Sequence, residues 1–229
     1  MATVRYLGHS SFEINLEGKI IYTDPWFQKS TRNPQEGNER LVPSAGTTDG
    51  VRKADLILVS HIHSDHCDPL EINALVGRTA AQVVAPEDVM SELTIPTRCR
   101  VPVSVGDNFS LMGVDVLVTQ AKHPQAGYAV GFVCSRAGKS FYFAGDTYDF
   151  YEMLNINVDC AMLPIGGTYT MDSLGAVKAL KTLRSRFVIP MHYDTFPRIR
   201  VDTRDFEKRV RAFTKTTPVV LAPGEKFDF

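Results

Sequence analysis

No excess of charge marks this chain of 229 residues: 25 Lys and Arg stand against 26 Asp and Glu. That balance offers no electrostatic footprint for a polyanion, so nucleic acid is not an expected partner. Long hydrophobic runs are missing too. No stretch approaches the ~18 consecutive apolar residues that a membrane span requires, and no span is expected. Cysteine is sparse, with Cys67, Cys99, Cys134 and Cys160 far apart and no CxxC pair. The N-terminus has neither the basic start nor the apolar core of a secretory signal, which makes the cytoplasm the expected compartment. Repeats and low-complexity linkers are absent. With 44% hydrophobic and 22% charged residues, the chain reads as soluble and globular, and residues 1–229 are taken as one domain.

Histidine is scarce, yet three of the six histidines fall within "SHIHSDH", Ser60 to His66. A strand would send His61, His63 and Asp65 to one face and His66 to the other, so the run is expected to be a loop wrapped around something. Before it, "ADLILVS" reads as a buried strand. After it, "DPLEINALV" offers Asp68 as a helix cap, Pro69 as the first helical position and Glu71 in the first turn. Imidazole and carboxylate together suit zinc, manganese or iron. Cys67, next to His66, is expected as a small buried side chain behind the loop. The other histidines each end an apolar run: His9 in "VRYLGH", His123 in "VLVTQAKH" and His192 in "FVIPMH". Asp24 in "IIYTD" and Asp146 in "FYFAGD" do the same. Polar residues at so many strand ends point to strands converging on one rim.

The order of elements has a two-fold look. Strands "TVRYLGH", "SFEINL" and "KIIYTDPW" come first as hairpins, then strands alternate with helices near 69–76 and 86–93. A second series follows the same course, with a short helical segment near 149–155, helices opened by Asp172 and Asp202, and "PVVLAP" as the last strand. The fold class expected is α/β, an αββα four-layer sandwich of two mixed sheets packed face to face with helices outside. Gln28 to Gly50 is the one long irregular segment, expected to be a lid or a structureless loop. Trp26 and Phe27 at its start are candidates for an apolar wall of a substrate pocket. The sequence also leaves room for a homo-oligomer in which a neighbouring subunit orders that segment.

These motifs carry a resemblance. "HIHSDH", the strand-end His123, "AGDT" with Asp146 and "PMHYDTFP" with His192 resemble the metallo-β-lactamase superfamily, whose fold is the αββα sandwich. More narrowly, "GHSSFEI", "TDPW", "LPIGGTYTM", "MHYDTFP" and the terminal "PGE" are similar to a group of metal-dependent hydrolases. That group is related to L-ascorbate-6-phosphate lactonase and to the phospholipase D that cleaves N-acylphosphatidylethanolamines. The resemblance spans nearly the whole chain. It implies two divalent metal ions, zinc first, with manganese or iron as alternatives. His61, His63 and His123 would hold one, Asp65, His66 and His192 the other, and Asp146 would bridge them.

By the same resemblance a shared water or hydroxide attacks a small-molecule ester, lactone or phosphoester, with Asp65 or the water network moving protons. Asp24 would support the histidine loop from behind. His9 would lie beside the metals, binding substrate or orienting a ligand. Tyr169 and Tyr193, each next to a matched motif, are candidates for oxyanion or leaving-group contacts. Two other readings compete: a phosphodiesterase or nuclease of the same superfamily, and a non-catalytic metal-binding relative. The first would want a basic docking surface that the composition does not supply. For the second, di-iron relatives replace the second loop histidine by Glu, whereas His63 stands here, and all seven ligands are present.

Overall fold

The computed structural model describes residues 1–29 and 39–229. Its frame is two seven-stranded sheets. In spatial order the first holds β14 (Lys226–Asp228), β1 (Ala2–Gly8), β2 (Ser11–Leu16), β3 (Lys19–Thr23), β4 (Leu56–Leu58), β5 (Gln82–Ala85) and β6 (Arg100–Pro102). The second holds β13 (Thr217–Pro218), β12 (Arg184–Met191), β11 (Asn157–Pro164), β10 (Lys139–Phe143), β9 (Val130–Arg136), β8 (Val114–Gln120) and β7 (Asn108–Leu111). Each sheet begins as an antiparallel meander and turns parallel, at β3 in the first and at β10 in the second. Parallel neighbours need crossover connections. These are α1 (Pro69–Thr79) and α2 (Glu87–Glu92) on the first sheet, and α3 (Ser173–Thr182) and α4 (Thr203–Phe213) on the second.

Period-two alternation decides which side chains meet. Val4, Ile14, Ile21 and Leu58 of the first sheet share a core with Val116, Phe132, Phe141 and Phe143 of the second, and Phe12 meets Phe143 edge to face at 6.4 Å. The opposite side of the first sheet, with Tyr22, Ile57 and Val83, packs on Ile72 and Leu75 of α1 and Val89 of α2. Four layers result, as the sequence pattern implied. α1 starts where its cap says it should: the Asp68 carboxylate accepts from the N–H groups of Leu70 (3.0 Å) and Glu71 (3.3 Å), with Pro69 at the first position. That pins the start of the helix, Pro69, three residues after His66. Cys67 is fully buried.

The short helical segment near 149–155 is present as the 3₁₀ helix Tyr151–Asn155. Two expectations need correction. Of "PVVLAP" only Pro218 joins a strand, the two-residue β13, and the chain closes instead through β14 beside β1. The described part of the long irregular segment is packed, not structureless. The Leu41 N–H donates to Thr195 O at 2.8 Å, the Ala45 N–H to Leu7 O at 3.0 Å, and Arg40 is buried over the Trp26 ring. Residues 30–38, the middle of the expected lid, lie outside the described residues. Among the described residues no helix is long and apolar enough to cross a membrane.

Candidate metal centre

All six histidines of the chain gather at one rim of the sandwich. The strands deliver them there because their apolar bodies end at a common level. His9 follows β1, Asp24 follows β3, His61 lies just beyond β4, His123 beyond β8, Asp146 beyond β10, and His192 directly after β12. His9, Asp24 and His192 turn the chain out of its strand in the left-handed region, with φ of 60°, 36° and 55°. Side chains other than glycine rarely adopt that region, and such departures concentrate at functional sites.

Backbone contacts bring the two sheets together here. The Val130 N–H donates to Ser60 O at 3.0 Å, and the His192 N–H donates to His9 O at 2.9 Å. Gly145 makes the closest approach. It has φ +59°, and a Cβ there would lie 2.8 Å from the Ser60 Cβ and 2.9 Å from Val130 O. The "AGD" spelling is therefore a packing requirement that seats Asp146 against the histidine loop.

Two clusters of donors result. In the first, His61 Nε2 and His123 Nε2 each lie 3.1 Å from His63 Nδ1. The outward nitrogens of these rings are all engaged. His123 Nδ1 meets Tyr169 O at 3.1 Å, and His63 Nε2 meets Gln125 O at 3.3 Å. His61 Nδ1 meets Ser60 Oγ at 2.9 Å. Carbonyl oxygens only accept, so His123 and His63 donate outward. The Ser60 hydroxyl gives its hydrogen to Asp24 Oδ2 at 2.6 Å and so accepts from His61. Each ring thus carries its proton outward and turns a lone pair inward.

The second cluster is His9, Asp65, His66 and His192. His66 Nδ1 donates to Asp24 Oδ2 at 2.6 Å, leaving Nε2 facing Asp146 Oδ1 at 3.4 Å and Asp65 at 4.0 Å. His192 Nε2 is 3.1 Å from Asp146 Oδ2, and His9 Nε2 is 3.2 Å from Asp65 Oδ2. Asp146 sits between the clusters, with Oδ2 also 3.9 Å from His123 Nε2. Asp24 serves both, bonded directly to His66 and through Ser60 to His61, and its Oδ1 accepts the Ser60 N–H at 2.7 Å.

The electrostatics follow from burial and neighbours. Burial would raise the Asp146 carboxyl, but His192 and His66 hold it well below the usual range. Burial would likewise raise Asp65, yet His66 and the His9 hydrogen bond keep it low. Burial opposes a proton on His66, but Asp146 and Asp65 push its imidazole well above the ordinary value. Burial lowers His61 and His123, and His9 falls to about 3, chiefly by burial and then by His192.

These residues fit a metal. Three inward lone pairs, two of them 3.1 Å from the third, have no hydrogen to share and repel one another unless a cation lies among them. In addition, His66 Nε2 and Asp146 Oδ1 are buried and find no hydrogen-bond partner among the described residues, and such groups are rare without an ion or water.

A cavity of about 420 Å³ opens onto both clusters, with His63, Asp65, His123, Asp146 and His192 on its floor. Tyr169, half exposed, lines it. Three sequence-stated candidates do not reach it. Trp26 is fully buried behind His9, at a ring separation of 5.2 Å, so its proposed place in a substrate wall is corrected. Tyr193 faces a separate cleft of about 260 Å³ with Tyr6 and Arg40. His9 stands behind Asp65 and borders that second cleft. Sequence reasoning missed Ser60, although it immediately precedes His61. It also missed Phe196 and Arg198 on the cavity wall, although Phe196 lies within the "MHYDTFP" motif and Arg198 directly follows it.

Residues 3–192 match a family model described as a beta-lactamase superfamily domain. The UPF0173 metal-dependent hydrolase of Thermofilum pendens is 37% identical over a 241-residue alignment that takes in 100% of both chains. That of Staphylothermus marinus is 36% identical, again over 100% of both. Among solved structures, a metallo hydrolase from the hyperthermophilic archaeon Ignicoccus hospitalis aligns with a TM-score of 0.80 at 32% identity, covering 100% of this chain and 99% of that one.

Proposed function

The chain belongs to the beta-lactamase superfamily domain family and is a metal-dependent hydrolase, and from that premise we propose that it works with two divalent cations on a small-molecule ester, lactone or phosphoester. His61, His63 and His123 would hold one cation, and Asp65, His66 and His192 the other, with Asp146 reaching toward both. Zinc suits this nitrogen-rich donor set best, with manganese and iron as alternatives. When bound, the cations supply Lewis-acid polarisation of the scissile carbonyl or phosphoryl group and activation of the attacking water.

The chain's own residues do the rest. Asp24 holds His66 directly and His61 through Ser60, fixing both rings with Nε2 inward. Asp65 is the most open of the buried carboxylates at the floor, with a side chain 21% exposed against 4% for Asp146. That makes Asp65 the group placed to take up and release a proton at the cavity surface. His9 orients it through the 3.2 Å contact to Oδ2. Tyr169 offers its hydroxyl at the wall for the leaving group.

The observation that carries this reading is the set of three histidine lone pairs turned inward beside His66 Nε2 and Asp146 Oδ1, which face each other at 3.4 Å without a hydrogen bond. Elemental analysis of the purified protein should find two metal equivalents. A screen of lactones, phosphomonoesters and phosphodiesters should find turnover that Asp146→Asn lowers at least a hundredfold. Asp149→Asn, which removes only the 2.6 Å surface pair with Lys178, should leave turnover nearly unchanged. One equivalent, or equal losses in the two variants, overturns the dinuclear assignment.

A further inference from the structure

We propose that the substrate carries an anionic tail, a carboxylate or phosphate remote from the bond that is cleaved, and that Arg198 binds it. The inference rests on the hydrolase reading above for where the reacting group sits. Its own support is the wall of the same cavity.

Among the described residues that line this cavity, Arg198 is the one Lys or Arg. The other ionisable side chains described there are Asp65 and histidines of the two donor clusters, Asp146 between them, and the Tyr169 phenol. The Arg198 side chain is exposed and, among the described residues, makes no hydrogen bond or ion pair; its recorded bond is through the backbone, Thr168 Oγ1 donating to Arg198 O at 2.9 Å. Asp65 and Asp146 do not pair with it, because both are engaged by histidines.

The stalk of this arginine is fixed. It leaves a single 3₁₀ turn, Pro197–Ile199, six residues after His192. The Asp194 N–H donates to Ile199 O at 2.8 Å, and Asp194 Oδ1 accepts the Val201 N–H at 2.9 Å. Ile199 is buried against Gly166, where a Cβ would come within 3.0 Å of the Ile199 Cβ. A guanidinium on a braced turn, at the wall of a cavity whose floor binds cations, is placed for a ligand with two polar ends. One end is the reacting group over the clusters, and the other is an anion that the planar fork grips through paired hydrogen bonds. Phe196 and Ile199 line the same cavity and suit an apolar body between the ends.

Calorimetry on the metal-loaded full chain tests this without turnover. The probes are butyrate, with one carboxylate, against succinate, glutarate and adipate, with two, and 4-phosphonobutyrate. At least one two-ended probe should bind roughly tenfold to a hundredfold tighter than butyrate, as charge-assisted bonds generally give. Arg198→Met should erase that advantage with metal content unchanged, and Arg198→Lys should keep part of it. Arg200→Met, on a neighbouring arginine outside this cavity, should keep all of it. The tighter of glutarate and 4-phosphonobutyrate names the tail. Equal binding of one-ended and two-ended probes by the parent protein, or an advantage that survives Arg198→Met, overturns the proposal. So does an equal loss of butyrate binding in that variant. A protein that loads one cation yet still discriminates through Arg198 would instead sink the dinuclear reading and leave the tail in place.

Discussion

In the first cluster every ring hands its outward N–H to an oxygen, His61 to Ser60, His63 to Gln125 and His123 to Tyr169. In the second, His9 and His192 each keep a buried Nδ1 that finds no hydrogen-bond partner among the described residues. Their positions are set instead by rings. His9 lies 4.3 Å from His192 and 5.5 Å from Phe196, and His66 stacks on His192 at 5.4 Å. The difference is one of specification. Hydrogen bonds fix both the tautomer and the direction of a lone pair, whereas ring packing fixes position more than direction. The first cluster is therefore the preorganised one, and the second is the one that adjusts when a cation or substrate arrives.

Asp24→Ala should have the largest effect, because one carboxylate braces both clusters. Loss of such a support weakens metal binding by about 10–100-fold, so elemental analysis after dialysis should show both sites depleted and turnover nearly abolished. A variant that keeps its first-cluster metal would break the common brace. Next, Ser60→Ala severs only the link to His61. It should weaken the first site by about tenfold and spare the second, which His66 still ties to Asp24. Equal depletion of both sites would erase the distinction.

A chelator titration sharpens the comparison further. Metal should leave in two steps, second cluster first, and a single cooperative step would show the clusters to be one unit. His9→Asn should retain both metals and lower kcat by about tenfold with little change in KM, since it acts through Asp65. A KM effect alone would place His9 at the substrate instead.

The smallest expected effect is on stability against pH. In the metal-free protein the His66 proton is held above its ordinary value. Its contribution to stability is therefore full below the unfolded pKa of about 6.5 and fades as pH rises through the raised folded value. Calorimetric Tm of the metal-free protein should fall by about 2–4 °C for each kcal/mol lost on the alkaline side. If a bound cation takes the place of that proton, the metal-loaded protein should not follow.

What the sequence made legible was the placement of donors. An apolar strand that ends in His or Asp, as "LILVSH" and "FYFAGD" do, announces both the element and the chemistry at its tip. The layers were legible for the same reason, since hairpins followed by strand–helix alternation occur twice. Asp24 was named as a support of the loop, but the backbone braces were not legible. Tyr169 and Gln125 act through backbone oxygens, and a carbonyl has no letter in the sequence. Trp26 was misplaced because an aromatic next to a site reads alike whether it faces a cavity or the core. Arg40, held by the carbonyls of Trp26 and Val42 and stacked 4.3 Å from the Trp26 ring, is what covers it. The terminal β14 was missed because three residues beside β1 carry too short a pattern to stand out.

The clasp between His192 N–H and His9 O has a consequence for biosynthesis. His9 leaves a ribosome well before His192, which follows it by 183 residues (192 − 9). At roughly 5–20 residues per second, "HIHSDH" waits on the order of ten seconds for the strand that completes its surroundings. During that interval the loop can offer only a few loose donors, and no nascent chain can hold the full set. Metal choice then falls to the pocket that exists once His192 is in place and to whatever cations its surroundings supply. The metal recovered from an overexpressing culture will accordingly track the growth medium, and cultures grown with zinc, manganese or iron should yield the same fold carrying different ions.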